Sequence, residues 1–300
     1  MGILKEYESC TLCARACNID RTVSFGACGV GSELIVSRAA LHLWEEPIIS
    51  GTRGSGTVFF SGCSLGCIFC QNREISGGKV GTPITAERLA EIMLSLENQG
   101  AHNINLVTPT HYAPHIKKAI ILAKSQGMSL PIVYNTGGYD SIETVRSLSG
   151  LVDIYLPDLK YHLPKTAKAY SRAENYPIAA RAAIDEMVRQ RGEPVIGDDG
   201  VMKSGVIVRI LLLPSHLAEA KLTVKYLYSR YKDSIYISLM SQYTPMPTMP
   251  PPLDRTVTRS EYRELTEYAA SLGVTRCFVQ GEGAATDAYI PTFDGTGVVK

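Results

Sequence analysis

From residue 56 onward, short β-rich runs alternate with segments of helical periodicity. The β-rich runs include GTVFFSG, NINLVTPT, PIVYNTGG, VDIYLPDLK, GVIVRILLLPSH, SIYISLMSQ and RCFVQG. Strands separated by helices of this length form βαβ units, in which the strands are parallel. Several runs are apolar without interruption, as in strands covered on both faces. About six repeats predict an open or partial β/α barrel, with a doubly wound sheet as the alternative.

The remaining segments divide the chain. Residues 1–55 do not show this alternation of strands and helices, so we expect them to form an N-terminal cysteine-rich extension. We expect the barrel to cover residues 56–285 and a C-terminal tail to cover residues 286–300. A long helical stretch is expected to break near Pro177, and PVIGDDGVMKSG reads as a small inserted hairpin.

Unusual short stretches follow most of the predicted strands. They are the three-cysteine loop GCSLGCIFCQN and then TPTHY, NTGGYD, PDLK, LPSH and SQYTP. In parallel β/α folds, ligands bind at the carboxyl ends of the strands. The pattern therefore predicts one active site on one face of the fold.

Charge and composition exclude several classes of function. The formal net charge is +1, which gives no electrostatic basis for binding nucleic acid or an anionic membrane. The start MGILKEYESC has no apolar signal region, and the run VIVRILLLP, interrupted by Arg209, is too short to span a bilayer. We expect a soluble cytoplasmic protein. Because disulfides are disfavoured there, clustered cysteines indicate metal binding, whereas the isolated Cys277 is interpreted as a small buried hydrophobe.

The loop after the first strand of the repeat contains three cysteines and no fourth nearby. Three thiolates leave a tetrahedral zinc site incomplete, although a catalytic zinc accepts three protein ligands and a water. A [4Fe–4S] cluster has four ligand positions, so three cysteines would leave one iron open to a small molecule.

The spacing Cys63-x3-Cys67-x2-Cys70, with Phe69 before the last cysteine, resembles the signature of the radical S-adenosylmethionine (SAM) superfamily. WEEP, GSGTVFFSGC, CQNREIS, VDIYLPDLKY, YSRAENYP and LMSQYTP resemble a subgroup of its pyruvate formate-lyase-activating-enzyme-like branch. The resemblance implies a partial (β/α)6 barrel with SAM as the fourth cluster ligand. It also implies reductive cleavage of SAM to methionine and a 5′-deoxyadenosyl radical, which abstracts a hydrogen atom from the substrate.

The resemblance assigns the cluster to Cys63, Cys67 and Cys70. NTGG is similar to the Asp-Thr-Asn-Gly stretch of that branch, with Asn135 in place of the acid, and PDLK is similar to its Asp-x-Lys. The ammonium of Lys160 would pair with the SAM carboxylate. The residues so implied to bind the cofactor are Phe69, Thr108, Thr110, Asn135, Thr136, Gly137, Gly138, Asp158, Lys160 and Gln242.

Two family features are absent. The Gly-Gly-Glu-Pro expected at the second strand is replaced by TPTHY, so Thr108, Thr110 or His111 would take over contacts to the SAM amino group. Alternatively, His111 caps the following helix. The histidine of the sixth strand is also missing, and Ser241, Gln242 and Tyr243 occupy that region.

A second cysteine group stands near the N-terminus, at Cys10, Cys13, Cys17 and Cys28. Four thiolates close a coordination shell without an outside ligand. Both a second [4Fe–4S] cluster, which we favour, and a structural zinc ion fit this composition.

The substrate is not specified by the sequence. One hypothesis is an activase that abstracts a hydrogen atom from a partner protein, a glycyl-radical enzyme. Another is an enzyme acting on a small molecule or a different protein side chain. A third is a non-catalytic iron–sulfur or zinc protein, against which PDLK and NTGG speak. The resemblance also implies a flavodoxin or ferredoxin-type electron donor.

Overall fold

The computed structural model describes residues 5–281 and 291–299. Strands form in most cases where the sequence shows apolar runs. They are β1 Leu34–His42, β2 Ser55–Phe60, β3 Thr82–Ile84, β4 Ile104–Val107, β5 Ile132–Thr136, β6 Ile154–Pro157, β7 Val195–Ile196, β8 Met202–Leu211, β9 Tyr236–Met240 and β10 Cys277–Val279. Over the described residues these strands form one sheet in the order β10-β9-β8-β6-β5-β4-β2-β1-β3, with β7 beside β8.

The central strands of this sheet follow the chain without reversal. β2, β4, β5, β6, β8, β9 and β10 pair in that order, and every pair is parallel. A doubly wound sheet would reverse its strand order at a switch point, and this sheet does not. The fold is therefore the predicted partial β/α barrel, and the doubly wound alternative is wrong.

Helices lie between the strands, and most of them connect parallel strands. They are α1 Pro47–Ser50, α2 Arg73–Ser76, α3 Ala86–Asn98, α4 Ala113–Ser125, α5 Ile142–Ser147, α6 Pro164–Ser171, α7 Tyr176–Arg191, α8 Leu217–Tyr231 and α9 Arg259–Ser271. The predicted break is confirmed, because α6 ends at left-handed Arg172 and α7 starts with Pro177 in its first turn. The predicted hairpin is confirmed too, since β7 pairs antiparallel with β8.

The N-terminal extension enters the barrel. β1 pairs antiparallel with β2, a strand that the sequence analysis did not predict. The chain then turns inward at residues 43–50. Ile49 packs inside the sheet in an apolar cluster with Val133, Ile154, Leu156, Met202 and Ile207. We call residues 43–50 the plug. It brings Glu45 and Glu46 into the barrel interior.

Residues 291–299 pack back on β1. Arg38 pairs with Asp294 at 3.0 Å, the Ala39 N–H donates to the Thr296 carbonyl at 2.8 Å, and Val298 is buried. The proposed tail boundary at residue 286 lies outside the described residues. No helix in the described ranges combines the length and apolar character needed to cross a membrane.

Candidate active site

The three-cysteine loop lies directly after β2, at the carboxyl end of the sheet. Cys63, Cys67 and Cys70 are partly exposed and line one cavity of about 240 Å³. The Ser171 hydroxyl donates to the Cys67 sulfur at 3.1 Å. Burial, reinforced by the two neighbouring thiols, raises the pKa of Cys70 to about 12. The thiol is therefore protonated on its own, and the positive charge of a bound metal centre would be needed to hold it as a thiolate.

The structure brings most of the predicted cofactor residues to the wall of this cavity. The lining residues that the sequence assigned are Cys63, Cys67, Phe69, Cys70, Thr108, Asn135, Thr136, Gly137, Asp158, Lys160 and Gln242. They come from the carboxyl ends of five different parallel strands and from the loops after them, as the convergence of unusual stretches predicted.

Phe69 fixes the cysteine loop. Its ring is 5% exposed and makes edge contacts with Tyr161, Tyr170 and Tyr243, with centroid separations of 6.4, 6.3 and 6.0 Å. Aromatic pairs prefer such perpendicular arrangements. The loop is thus anchored to the sixth-strand region, where the Gln71 amide also donates to the Gln242 carbonyl at 3.1 Å.

Asp158 and Lys160 form an ion pair in the cavity wall. The Lys160 ammonium donates to Asp158 Oδ2 at 2.6 Å, and Arg209 Nε donates to Asp158 Oδ1 at 2.8 Å. Burial alone would raise the pKa of Asp158, but the two cations lower it below its usual value, so the carboxylate is ionised. Burial opposes the charge of Lys160, yet Asp158 and the nearby Cys67 thiol raise its pKa, so it stays an ammonium.

Glu45, Asn135 and Arg209 line the cavity on the side of the plug, and we call these three residues its floor. The Glu45 carboxylate accepts from the Asn105 and Asn135 amides at 3.0 and 3.1 Å. Arg209 donates to the Asn135 oxygen at 2.6 Å and to Glu45 Oε2 at 3.3 Å. Burial raises the pKa of Glu45, although Arg209 and the amides oppose the shift. Asn135, which stands where the family stretch has an acid, therefore lies against a carboxylate supplied by the N-terminal extension.

Thr108 lines the cavity in a strained conformation. It follows β4 with φ of 60°, and its N–H donates to the Asn135 carbonyl at 2.8 Å. A β-branched residue rarely adopts this left-handed conformation, which costs on the order of 1–2 kcal/mol. Such strain is concentrated at functional sites.

Thr110 and His111 lie behind the cavity wall. Thr110 donates to buried Asp140 at 2.7 Å, and this carboxylate also accepts from Thr136 at 2.7 Å. His111 Nε2 donates to the Ser61 carbonyl at 2.9 Å, and burial lowers its pKa to about 3, so the ring is neutral. His111 therefore neither reaches the cavity nor caps α4, whose preceding residue makes no side-chain cap.

The NTGG turn is held close to PDLK. Gly138 is not in the cavity wall; its φ is +78°, and a Cβ there would clash with the Asp158 carbonyl oxygen. The Tyr176 hydroxyl accepts from the Lys160 N–H at 2.9 Å and lies 2.9 Å from the Gly137 carbonyl. Gly138 thus permits the close approach of the two stretches.

We expect Gly138→Ala to destabilise the fold by several kcal/mol, because it adds the clash with Asp158 to the cost of a left-handed alanine. The matched control is Gly150→Ala, since Gly150 has φ of +79° and no neighbouring atom within 4 Å of an added Cβ. This control should lose only about 1–2 kcal/mol. Urea denaturation checks both, and equal losses would show that the clash is relieved.

The N-terminal cysteines lie close to each other and outside this cavity. Cys10, Cys13 and Cys28 are buried, and Cys17 is partly exposed. Burial raises the pKa of Cys13 to about 12, with contributions from the other three thiols. In residues 5–281 and 291–299, no three His, Cys, Asp or Glu side chains are close enough to hold a single metal ion.

Sequence reasoning missed several lining residues. They include His42, Trp44, Glu45, Arg209, Met240 and Thr244. Two of them carried a signal. Arg209 is a charge within the apolar run VIVRILLLP, and Glu45 belongs to the acidic pair in LHLWEEPII. A charge inside a buried segment indicates a partner or a site.

Comparison with known proteins shows which family this chain is similar to. The family model "Radical SAM superfamily" matches residues 57–193, a segment that contains Cys63, Asn135 and Lys160. An uncharacterised protein of Methanocaldococcus jannaschii is 27% identical over 274 residues, covering 88% of this chain and 75% of that protein.

One of two similar solved structures supports the fold. A radical SAM methyltransferase from Sphaerobacter thermophilus superposes with a TM-score of 0.53 and 18% identity, covering 77% of this chain and 67% of that one. A domain of pyruvate-formate lyase-activating enzyme from Bacteroides vulgatus gives a TM-score of 0.42 and 13% identity, over 60% of this chain and 100% of that one. The methyltransferase supports the fold only. The family match over residues 57–193 and the cysteine loop at the carboxyl end of the barrel make this chain similar to the radical SAM superfamily, whose members use a [4Fe–4S] cluster and SAM.

Proposed function

We propose that Cys63, Cys67 and Cys70 hold the [4Fe–4S] cluster and that SAM occupies the cavity beside them. When bound, these groups supply a 5′-deoxyadenosyl radical that abstracts a hydrogen atom from the substrate. The observation that carries this proposal is that three thiols share one cavity with an ammonium group at the carboxyl ends of the parallel strands.

The donor set fits these groups. Three thiols on one loop leave the fourth cluster position to an outside ligand. Lys160 has an 18% exposed side chain and uses one N–H on Asp158. An ammonium has three donors, so it can also donate a hydrogen bond to a SAM carboxylate. Arg209 holds the other Asp158 oxygen and thereby fixes the direction of the pair.

Glu45 is the proposed partner for the positive end of SAM. Its carboxylate faces the cavity beside Asn135, where the similar family stretch carries an acid. Each carboxylate oxygen can accept more than one hydrogen bond, so the contacts from Asn105, Asn135 and Arg209 leave acceptor capacity for an ammonium. The N-terminal extension would in this way complete a site from which Gly-Gly-Glu-Pro is missing.

Two substrate classes are compatible with this chemistry. In one, the chain is an oxidoreductase that activates a glycyl-radical enzyme, accepting a peptide loop of the partner. In the other, it acts on a small molecule or another protein side chain. Reacting a deuterated candidate with reduced enzyme and SAM distinguishes them, because deuterium must appear in 5′-deoxyadenosine when the correct substrate is present.

We expect Lys160→Ala to weaken SAM binding by tenfold or more, because losing a charge-assisted contact costs about 1.5–3 kcal/mol. Titration of the cluster's EPR signal with SAM measures it. Lys168→Ala is the matched control. Lys168 lies on α6, has a 66% exposed side chain and pairs with Glu174 in the turn that follows this helix. Equal SAM affinity in both variants would show that Lys160 does not contact the cofactor.

A further inference from the structure

The N-terminal cysteine segment is attached to the loop that carries Cys63. The Cys63 N–H donates to the Cys28 carbonyl at 3.0 Å. Gly62 has φ of +86°, and an added Cβ would lie 2.8 Å from that same carbonyl oxygen. Arg15 donates to the Ser64 and Leu65 carbonyls at 2.9 and 3.2 Å. Ligands of the two cysteine groups are therefore in direct main-chain contact.

Arg21 is buried inside this segment without a carboxylate partner. It is 1% exposed and donates to the carbonyls of Val30, Gly31 and His111 at 3.3, 2.5 and 2.8 Å. Its fourth contact is the Cys10 sulfur, at 3.6 Å. Within the described part of the chain, no Asp or Glu forms an ion pair with it.

A buried guanidinium remains charged, and an uncompensated buried charge is strongly unfavourable. Carbonyl dipoles and the Tyr7 ring, 4.7 Å from the guanidinium carbon, stabilise it in part. The neighbouring groups that can become anionic when a metal binds are the thiols of Cys10 and Cys28, both of which act electrostatically on Arg21. The position of Arg21 therefore indicates a negative centre at these cysteines.

We propose that Cys10, Cys13, Cys17 and Cys28 hold an iron–sulfur cluster whose negative charge Arg21 balances, and that this cluster relays single electrons to the catalytic cluster. A zinc ion with four thiolate ligands would also form an anionic centre. Zinc has no redox chemistry, however, so it could not transfer electrons to the catalytic loop.

The relay transfers one electron and changes no bond. A one-electron carrier protein of the flavodoxin or ferredoxin class reduces the N-terminal cluster. The same electron then passes across the Cys28–Cys63 contact and reduces the catalytic cluster, which returns the N-terminal cluster to its oxidised state. The second transfer rests on the proposed function, whereas the existence of the N-terminal cluster does not.

Metal analysis of the full chain with Cys63, Cys67 and Cys70 replaced by Ala tests the N-terminal cluster alone. After anaerobic reconstitution, about four iron and four sulfide should remain. Adding Cys13→Ser and Cys17→Ser should remove them, and adding Cys277→Ser should not. Stoichiometric zinc without sulfide, or no metal, overturns the proposal. The Cys13→Ser/Cys17→Ser variant that keeps Cys63, Cys67 and Cys70 should retain the iron of the catalytic cluster. If this variant retains no iron, the assignment of the catalytic cluster is contradicted instead.

Arg21 is tested by the reduction potential of the N-terminal cluster, measured in the same triple-alanine background. Arg21→Met should make the midpoint potential more negative, because adding an electron to an anionic centre then lacks its balancing charge. Arg21→Lys should restore part of the shift. Arg53→Met is the control, since Arg53 donates to the Gly100 carbonyl and contacts no thiol. An unchanged potential in both Arg21 variants overturns the counter-charge role.

Electron relay is tested by EPR of the fully reduced wild-type protein. Two paramagnetic clusters linked by one main-chain contact should interact magnetically, so the spectrum should be broader than the sum of the two single-site variants. A spectrum equal to that sum contradicts the relay, even if both clusters are present.

Discussion

Replacing Cys63, Cys67 and Cys70 together by alanine is expected to remove about four iron atoms per chain and to abolish reductive cleavage of SAM. All three thiols line the same cavity, and no neighbouring cysteine stands ready in that loop to replace them. The expected loss is therefore complete rather than graded. Iron and sulfide content after anaerobic reconstitution, and 5′-deoxyadenosine formation with dithionite, measure the two effects.

The control for this variant is Cys277→Ala. Cys277 begins β10 and is partly buried, so its removal should leave iron content and SAM cleavage unchanged. Because the three loop cysteines are partly exposed, the triple variant should retain the helical and strand content of the wild type by circular dichroism. Unchanged iron in a folded triple variant would refute the assignment of the catalytic cluster.

The barrel could be predicted because the sequence patterns that specify its strands and helices are local. Apolar runs of strand length alternate with helical periodicity, and this alternation dictates parallel strands with helical crossovers. β1 escaped the prediction because it pairs antiparallel with both β2 and β3, and its sequence LIVSRAALH is not part of a strand–helix repeat. Its place depends on a long-range pairing with β2 that periodicity does not encode.

The meeting of residues from several strand ends at one cavity was predictable for the same reason, since loops after parallel strands lie on one face. Thr110 and His111 were placed wrongly because the turn Thr110–Tyr112 is a 3₁₀ helix that directs them behind the wall. The side chain that does reach the cavity is Thr108, whose left-handed backbone no local pattern predicts.

The floor of the cavity could not be predicted, because it joins segments far apart in the sequence. Glu45 comes from the plug, Asn135 from β5 and Arg209 from β8, and none of the three identifies its partners by its local sequence. Their contacts appear only when the barrel curves and the extension fills its interior. The charge of Arg209 within an apolar strand was a signal that something opposes it, without naming the partner.

Arg209→Met is expected to destabilise the protein by about 3–5 kcal/mol, because removing one member of a buried ion network leaves charges uncompensated. Arg209 is 13% exposed in its side chain and contacts Asp158, Glu45 and Asn135 through separate nitrogens. Burial opposes its charge, but Asp158, Glu46 and Glu45 raise its pKa, so it is fully protonated. Methionine matches much of its length and flexibility and removes the charge.

Urea denaturation measures this loss against Arg263→Met, a control at an exposed pair on α9, where Arg263 and Glu267 are 72% and 70% exposed. Exposed pairs of this kind contribute about 0–1 kcal/mol. Adding Asp158→Asn to Arg209→Met should recover part of the stability, because it removes the carboxylate left without its guanidinium. Arg209→Lys should fall between, since one ammonium cannot reproduce three directed contacts. If Arg209→Met costs no more than the exposed control, the floor does not depend on this charge, and the cavity must be held by the plug and the strand-end turns instead.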